Sequence, residues 1–244
     1  MHKVTHEELI LSNASLGFNL DNLTKLSSVD FINRSFPGIN VYQLLKELNS
    51  VLAPITSSRA DKIITLQDPP PILDITFQYI GPPGNGKTLK LRRTFSYDPE
   101  LIVSHDYFYI PPSARQKGIG KTVLESCLKQ YENMDVKRIK VHAGLEDGGY
   151  VWAKAGFKAT NYEEVNLILE VAKDKLKGDD LSDVVDIHTH YYQEEPKGNK
   201  FPMEQWARLD CMKDILRGSD WHGQIDLTNP NEKANFKNYV SKRR

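Results

Sequence analysis

Three short stretches of the sequence combine residue types that could do chemistry. GPPGNGKT, residues 81–88, fits the G-x-x-x-x-G-K-T pattern: glycine amides would wrap phosphate oxygens, Lys87 would reach the terminal phosphates and Thr88 would hold magnesium. DIHTH, residues 186–190, alternates acidic and imidazole side chains. On a strand it would put His188 and His190 on one side, the beginning of a metal site. RQKGIG, residues 115–120, has the form R-x-x-G-x-G. Gly118 and Gly120 let a backbone approach an anion closely, and Arg115, Lys117 and Lys121 surround them with positive charge. The ligand suited to that loop is a pyrophosphate.

Each chemistry demands a particular setting. A phosphate cradle must run directly into a helix, whose N-terminus supplies amides and a positive dipole end. After Thr88 the sequence reads LKLRRTFSY, an alternation of apolar and polar residues typical of a strand, and Asp98-Pro99 follows. Residues 81–88 therefore read as a hairpin turn between ILDITFQYI and LKLRRTFSY, with KIITLQ as an earlier strand stopped by the prolines at 69–71. DIHTH lies in VVDIHTHYY, which reads as a strand. Only the upstream chain offers enough residues for further ligands, so a polar strand with histidines facing a cleft or solvent is the simpler reading. RQKGIG alone stands where its chemistry needs it. LIVSHDYFYI, a long strand closed by Pro111-Pro112, precedes it. From Gly118 to Tyr131 the period becomes helical, with Ile119, Val123, Leu124, Cys127, Leu128 and Tyr131 on one face. Cys127 on that stripe reads as a core residue.

The rest of the chain supplies the frame. VYQLLKELNSVL predicts a helix from Val41, with Pro37-Gly38 as a turn before it. RIKVHA predicts a strand on which His142 reads as a satisfied core histidine, and GGYVWAKAGF a short helix ending at Gly156. Further helices are expected over about 163–177 and 202–217, separated by the polar EEPKGNK, and the IDL triplet and a basic SKRR close the sequence. No internal repeat is visible. Lys plus Arg equal Asp plus Glu at 32 each, which excludes affinity for nucleic acid or anionic membranes driven by bulk charge. No apolar run approaches the ~20 residues of a membrane span. MHKVTHEELI lacks the apolar core of a signal peptide, and two cysteines suit a reducing compartment, so a cytoplasmic protein is expected.

From about residue 102 to 157 the chain resembles the GNAT superfamily of acetyl-CoA-dependent N-acetyltransferases. YFYIPPSARQKGIGKTVLESCLK looks like that family's fourth strand, pyrophosphate loop and following helix. RIKVHAG looks like its fifth strand, and YVWAKAGF like the helix that ends in a frequent Gly-Phe. The resemblance extends over about 60–160 and implies an α+β fold: a mostly antiparallel sheet with splayed strands, flanked by helices. It divides the chain into an N-terminal helical segment (1–57), an acetyl-CoA-binding core (58–160) and a C-terminal extension (161–244). Trp206, Trp221, His222, Tyr191 and Tyr192 would form the core of that last part or line an acceptor cleft.

The resemblance also implies roles. The pantetheine arm would lie along the backbone of Phe108, Tyr109 and Ile110. The pyrophosphate would sit on Arg115, Gln116, Lys117, Gly118, Ile119, Gly120 and Lys121. An amine of the acceptor would attack the thioester directly, with an amide near Tyr109 stabilising the oxyanion, and neither metal nor protein nucleophile is expected. Ser104 occupies the position where some relatives carry a glutamate base, so Asp106 and Glu146 are the candidate bases. The usual acid tyrosine falls on Trp152, which has no useful proton, and Tyr150 is the nearby phenol. Without an acid, the alternative is an inert binding module of the same fold; the other alternative is nucleotide binding through 81–88.

Overall fold

A computed structural model of the chain describes residues 1–56, 60–81, 88–115, 117–144 and 146–242. Six residues of the glycine-rich segment, 82–87, and the candidate Gln116 lie outside the described residues. The fold is α+β, with mixed β-structure flanked by helices, in two compact units. Among the described residues no helix is long and apolar enough to cross a membrane.

The first unit comprises residues 1–137 with 237–244. Its elements are α1 (His6–Ala14), β1 (Asn19–Asn22), α2 (Ser28–Ser35), α3 (Val41–Thr56), β2 (Asp61–Gln67), β3 (Ile72–Tyr79), β4 (Leu89–Asp98), β5 (Glu100–Tyr109) and α4 (Ile119–Asn133). The strands lie in the order β1-β2-β3-β4-β5. β1 runs parallel to β2 and the other neighbours are antiparallel. α1 starts at a reciprocal cap, in which Glu8 N donates to Thr5 Oγ1 and Thr5 N donates to the Glu8 carboxylate. Alternation then sorts the sheet: Ile64, Leu66, Leu73, Ile75, Phe77, Leu91 and Phe95 share one buried face. α3 and α4 pack against each other, with Leu44, Leu45, Leu48 and Leu52 buried on one and Val123, Leu124, Cys127 and Leu128 on the other. Phe95 meets Tyr131 of α4 edge to face at 5.8 Å, which fixes the helix side of the sheet. β4 begins at Leu89 and pairs antiparallel with β3 (Tyr79 opposite Leu89), so a strand stands where a phosphate cradle requires a helix.

The second unit, residues 138–236, contains β6 (Arg138–His142), α5 (Gly148–Lys154), β7 (Lys158–Ala159), α6 (Tyr162–Lys175), α7 (Gly178–Glu194), α8 (Met203–Ala207), α9 (Lys213–Arg217) and β8 (His222–Asp226). α10 (Pro230–Ser241) begins here and ends in the first unit. The three strands are antiparallel in the order β6-β8-β7, so the IDL segment becomes a central strand.

Two expected secondary-structure elements differ in the structure. VVDIHTHYY is not a strand but most of helix α7, because Val184, His188, Tyr191 and Tyr192 recur at helical spacing. Val184 is fully buried, its carbonyl accepting from Trp206 Nε1, and the His188 ring lies beside Tyr192, Phe201 and Trp206. The helix expected over 202–217 is broken where Leu209 turns extended, leaving α8 and α9 joined by a 3₁₀ turn.

α5 and α9 approach closely at Gly149: a β-carbon there would lie 2.0 Å from the Leu216 carbonyl oxygen and 2.3 Å from Ser219 Oγ. Because the nearest obstacle is backbone, Gly149→Ala should lower unfolding free energy by about 2 kcal/mol or more. Urea denaturation followed by circular dichroism measures it; a midpoint within error of wild type would contradict this packing.

Candidate functional site

The loop that suits a pyrophosphate leaves β5 and enters α4, both within the first unit. β5 carries a bulge. Arg92 faces Tyr107 and Thr94 faces Ser104, so His105 and Asp106 together oppose the single residue Arg93. The extra residue reverses the side-chain alternation. Before it, Leu101, Val103 and His105 point to the helices; after it, Phe108 and Ile110 do, and Tyr107 and Tyr109 take the other face. Pro111 and a 3₁₀ turn over Pro112–Ala114 then end the strand. Gly118 is the N-cap of α4 at φ +74°, a left-handed conformation that glycine adopts without the β-carbon penalty, and it is exposed. A β-carbon on Gly120 would touch Phe108 at 3.8 Å and Ile110 at 3.9 Å, so the first turn of α4 rests on those two side chains. Lys117 is exposed. Arg115 donates from Nε to the Ile110 carbonyl at 3.0 Å and lies 5.3 Å from the Tyr109 ring centre. That carbonyl is therefore already engaged. Lys121 is directed to the chain's last helix, 3.1 Å from the Lys242 carbonyl and 4.8 Å from the Tyr239 ring.

Beneath the bulge lies a buried polar cluster. Arg93 is 1% exposed; its Nη1 donates to the carbonyls of Arg92 (2.8 Å) and Tyr107 (2.9 Å), and its guanidinium lies 5.2 Å from the Phe108 ring. His105 Nε2 is 2.8 Å from the Tyr131 hydroxyl. Burial first, and then the charge of Arg93, hold the His105 imidazole well below its usual value. Burial pushes the Cys127 thiol up, which fits a core residue and not a nucleophile.

On the opposite face of the strands a second network is organised around Asp74, which is 6% exposed. Arg92 Nε donates to Asp74 Oδ2 at 2.6 Å and Thr76 Oγ1 to Asp74 Oδ1 at 2.9 Å. Thr94 Oγ1 lies 2.7 Å from Asp74 Oδ2 and 2.6 Å from Asp106 Oδ2, so one hydroxyl proton serves two carboxylates. The hydrogen bond to Asp74 raises the Arg92 guanidinium above its usual value. Asp106, expected as a base, is exposed and anchored here. Lys90 covers the neighbouring Tyr107 ring at 3.7 Å.

In the second unit, Glu146 is exposed just before α5. Tyr150 is half-buried with Lys154 Nζ 3.3 Å from its hydroxyl. Trp152 lies on the other side of α5, buried edge to face against Phe157, in a core position. His142 departs from expectation, because it is exposed and not a core residue. It forms a cross-strand pair with His222. The adjacent pair carries the ladder bond, Ala143 N to Trp221 O, so 142 and 222 are a non-hydrogen-bonded pair whose side chains come close. Their rings stack 4.3 Å apart and 2° from parallel. Asp220 bonds His142 Nε2, and Glu164 accepts from the His222 backbone N–H at 2.6 Å while bonding its ring Nδ1 at 2.7 Å. A carboxylate-oriented imidazole is the arrangement of a general base. Sequence reasoning missed Asp220, Glu164 and the partnership of His142, because some 60 to 80 residues separate the partners.

Helical geometry also separates the DIHTH histidines. His188 turns inward to Asn166 (2.9 Å) while His190 stays exposed beside Glu194. Among the described residues no group of three or more His, Cys, Asp or Glu is placed to hold a metal. No protein-family model matches the sequence and no curated protein matches it, so the site's own geometry carries the functional argument.

His105 gives a pH signature. It stays neutral in the native state, whereas the unfolded chain binds the proton near the ordinary value of 6.5. Its contribution is therefore complete above that value and lost as pH falls below it, by up to about 1.4 kcal/mol per pH unit. Comparing unfolding free energies of wild type and His105→Gln between about pH 7 and pH 5 should show the steeper fall in wild type. Parallel curves would refute a neutral buried imidazole.

Proposed function

We propose that the chain is an N-acetyltransferase that binds acetyl-CoA at the β5–α4 junction and passes the acetyl group directly to an amine. The observation that carries this reading is the left-handed, exposed Gly118 opening a 15-residue helix at the end of the loop that follows a bulged strand, with Arg115 and Lys117 beside it. Unpaired amides of the first helical turn and the positive dipole end favour a diphosphate there. The diphosphate spans residues 115–121, and the pantetheine follows the backbone of Phe108, Tyr109 and Ile110, displacing Arg115 from the Ile110 carbonyl or using the remaining groups.

In the transfer, an acceptor ammonium first loses one proton. The amine nitrogen bonds to the thioester carbon, an amide near Tyr109 stabilises the oxyanion, and the C–S bond breaks. The nitrogen loses a second proton and the thiolate takes one, so one proton leaves to solvent overall. Asp106 is the carboxylate assigned to proton removal on the strand of the cofactor site; Glu146 and Tyr150, the other residues expected in proton transfer, belong to the second unit. Two free thiols suit a reducing compartment, and we assign the reaction to the cytoplasm. A second reading, an inert module of the same fold, is favoured by the buried Trp152 at the expected acid position.

Isothermal titration with coenzyme A tests the cofactor site. Wild type should bind with Kd on the order of micromolar. Gly120→Ala, whose β-carbon makes only ordinary contacts with Phe108 and Ile110, should bind comparably, and Gly120→Asp should bind at least about tenfold more weakly because it adds a negative charge to the helical turn that would hold phosphate. No heat with wild type, or equal affinity for the aspartate variant, sinks the proposal. Amine-dependent release of free thiol in a single turnover excludes the inert module.

A further inference from the structure

The polar face of the first unit's sheet limits what the acceptor can be. Arg92 is tethered through Nε to the nearly buried Asp74, so its guanidinium plane is fixed, while the side chain remains 48% exposed. A fixed, exposed guanidinium edge is a receptor for a planar anion such as a carboxylate. Asp106, tethered through Thr94, holds a carboxylate in place a short way off. Contacts of 2.6, 2.7 and 2.6 Å run from Arg92 Nε through Asp74 and Thr94 to Asp106, so Nε and the Asp106 carboxylate are at most about 8 Å apart. A cation and an anion held that near each other suit a small zwitterion that offers an anion to the guanidinium and an ammonium to the carboxylate. A free α-amino acid is such a molecule.

Surface ion networks contribute little to stability, and of this network only Asp74 is nearly buried and needs its counter-ion. Resting on the acetyl-transfer reading above, we propose that the acceptor is a free α-amino acid, its carboxylate on Arg92 and its ammonium on Asp106, beside the strand assigned to the thioester. An isolated amine would leave Arg92 unused, and a peptide N-terminus or a protein lysine lacks the adjacent carboxylate.

The test compares thiol release from acetyl-CoA with L-amino acids and with their α-amides, which keep the amine and lose the negative charge. At least one amino acid should react about tenfold or more faster than its amide, the worth of a charge-assisted bidentate contact. Asp74→Asn with Arg92→Gln removes both charges together, leaving no uncompensated buried carboxylate, and should bring the two rates within about twofold. Arg92→Lys keeps a counter-ion for Asp74 and should reduce the preference without unfolding the sheet, as circular dichroism would show. Equal rates for acid and amide in wild type, or a preference that survives in the double variant, overturns the inference. Coenzyme A binding by titration without thiol release for any amino acid overturns it while leaving the cofactor site standing. Failure to bind coenzyme A removes both.

Discussion

The side chain of Arg93 fixes the bulge on which the rest of the first unit's site depends. Its Nη1 donates to the carbonyls of Arg92 and Tyr107, the pair that resumes the ladder after the extra residue in β5. One additional residue in a strand moves everything beyond it to the opposite face. Without the bulge, Phe108 and Ile110 would point away from α4, and Tyr107 and Tyr109 would take the place of the side chains that support its first turn. Burying a cation is costly unless it is hydrogen-bonded. Arg93 has these two carbonyls, a facing aromatic ring and the neighbouring Tyr131 and Cys127. A position that keeps a charge under those terms serves placement of the backbone better than it serves stability.

The bulge also explains why the two faces of the same strands differ so much in character. On the helix side, Cys127, Tyr131 and His105 close around Arg93 in the core. On the other, Asp74 gathers Thr76, Arg92, Thr94 and Asp106 into a network with only Asp74 nearly buried. Asp106, which shares the bulge with His105, continues the upstream alternation onto this face and reaches Thr94 there.

Most elements of the first unit were legible in the sequence because their periods are clean. α3, α4 and the strands β2 to β5 fall where the apolar spacing places them. The bulge was not legible, because Leu101, Ile102 and Val103 are apolar in succession and Tyr107 to Ile110 are aromatic or apolar throughout, so no alternation marks the extra residue. VVDIHTHYY misled because β-branched and aromatic residues favour strands while their actual contacts, Val184 with Trp206 and His188 with Asn166, are tertiary. His142 with Asp220, and His222 with Glu164, were illegible for the same reason, since only strand pairing brings them together. Arg92 and Asp74, 18 residues apart on adjacent strands, looked like ordinary alternation.

The stacked imidazoles of β6 and β8 carry a spectroscopic consequence. Each ring lies within the magnetic shielding cone of the other, stacked at 4.3 Å with nearly parallel planes. The carbon-bound protons of these two histidines, out of seven in the chain, therefore resonate upfield of an isolated imidazole, so that strand pairing in the second unit announces itself in a one-dimensional proton spectrum with no label attached.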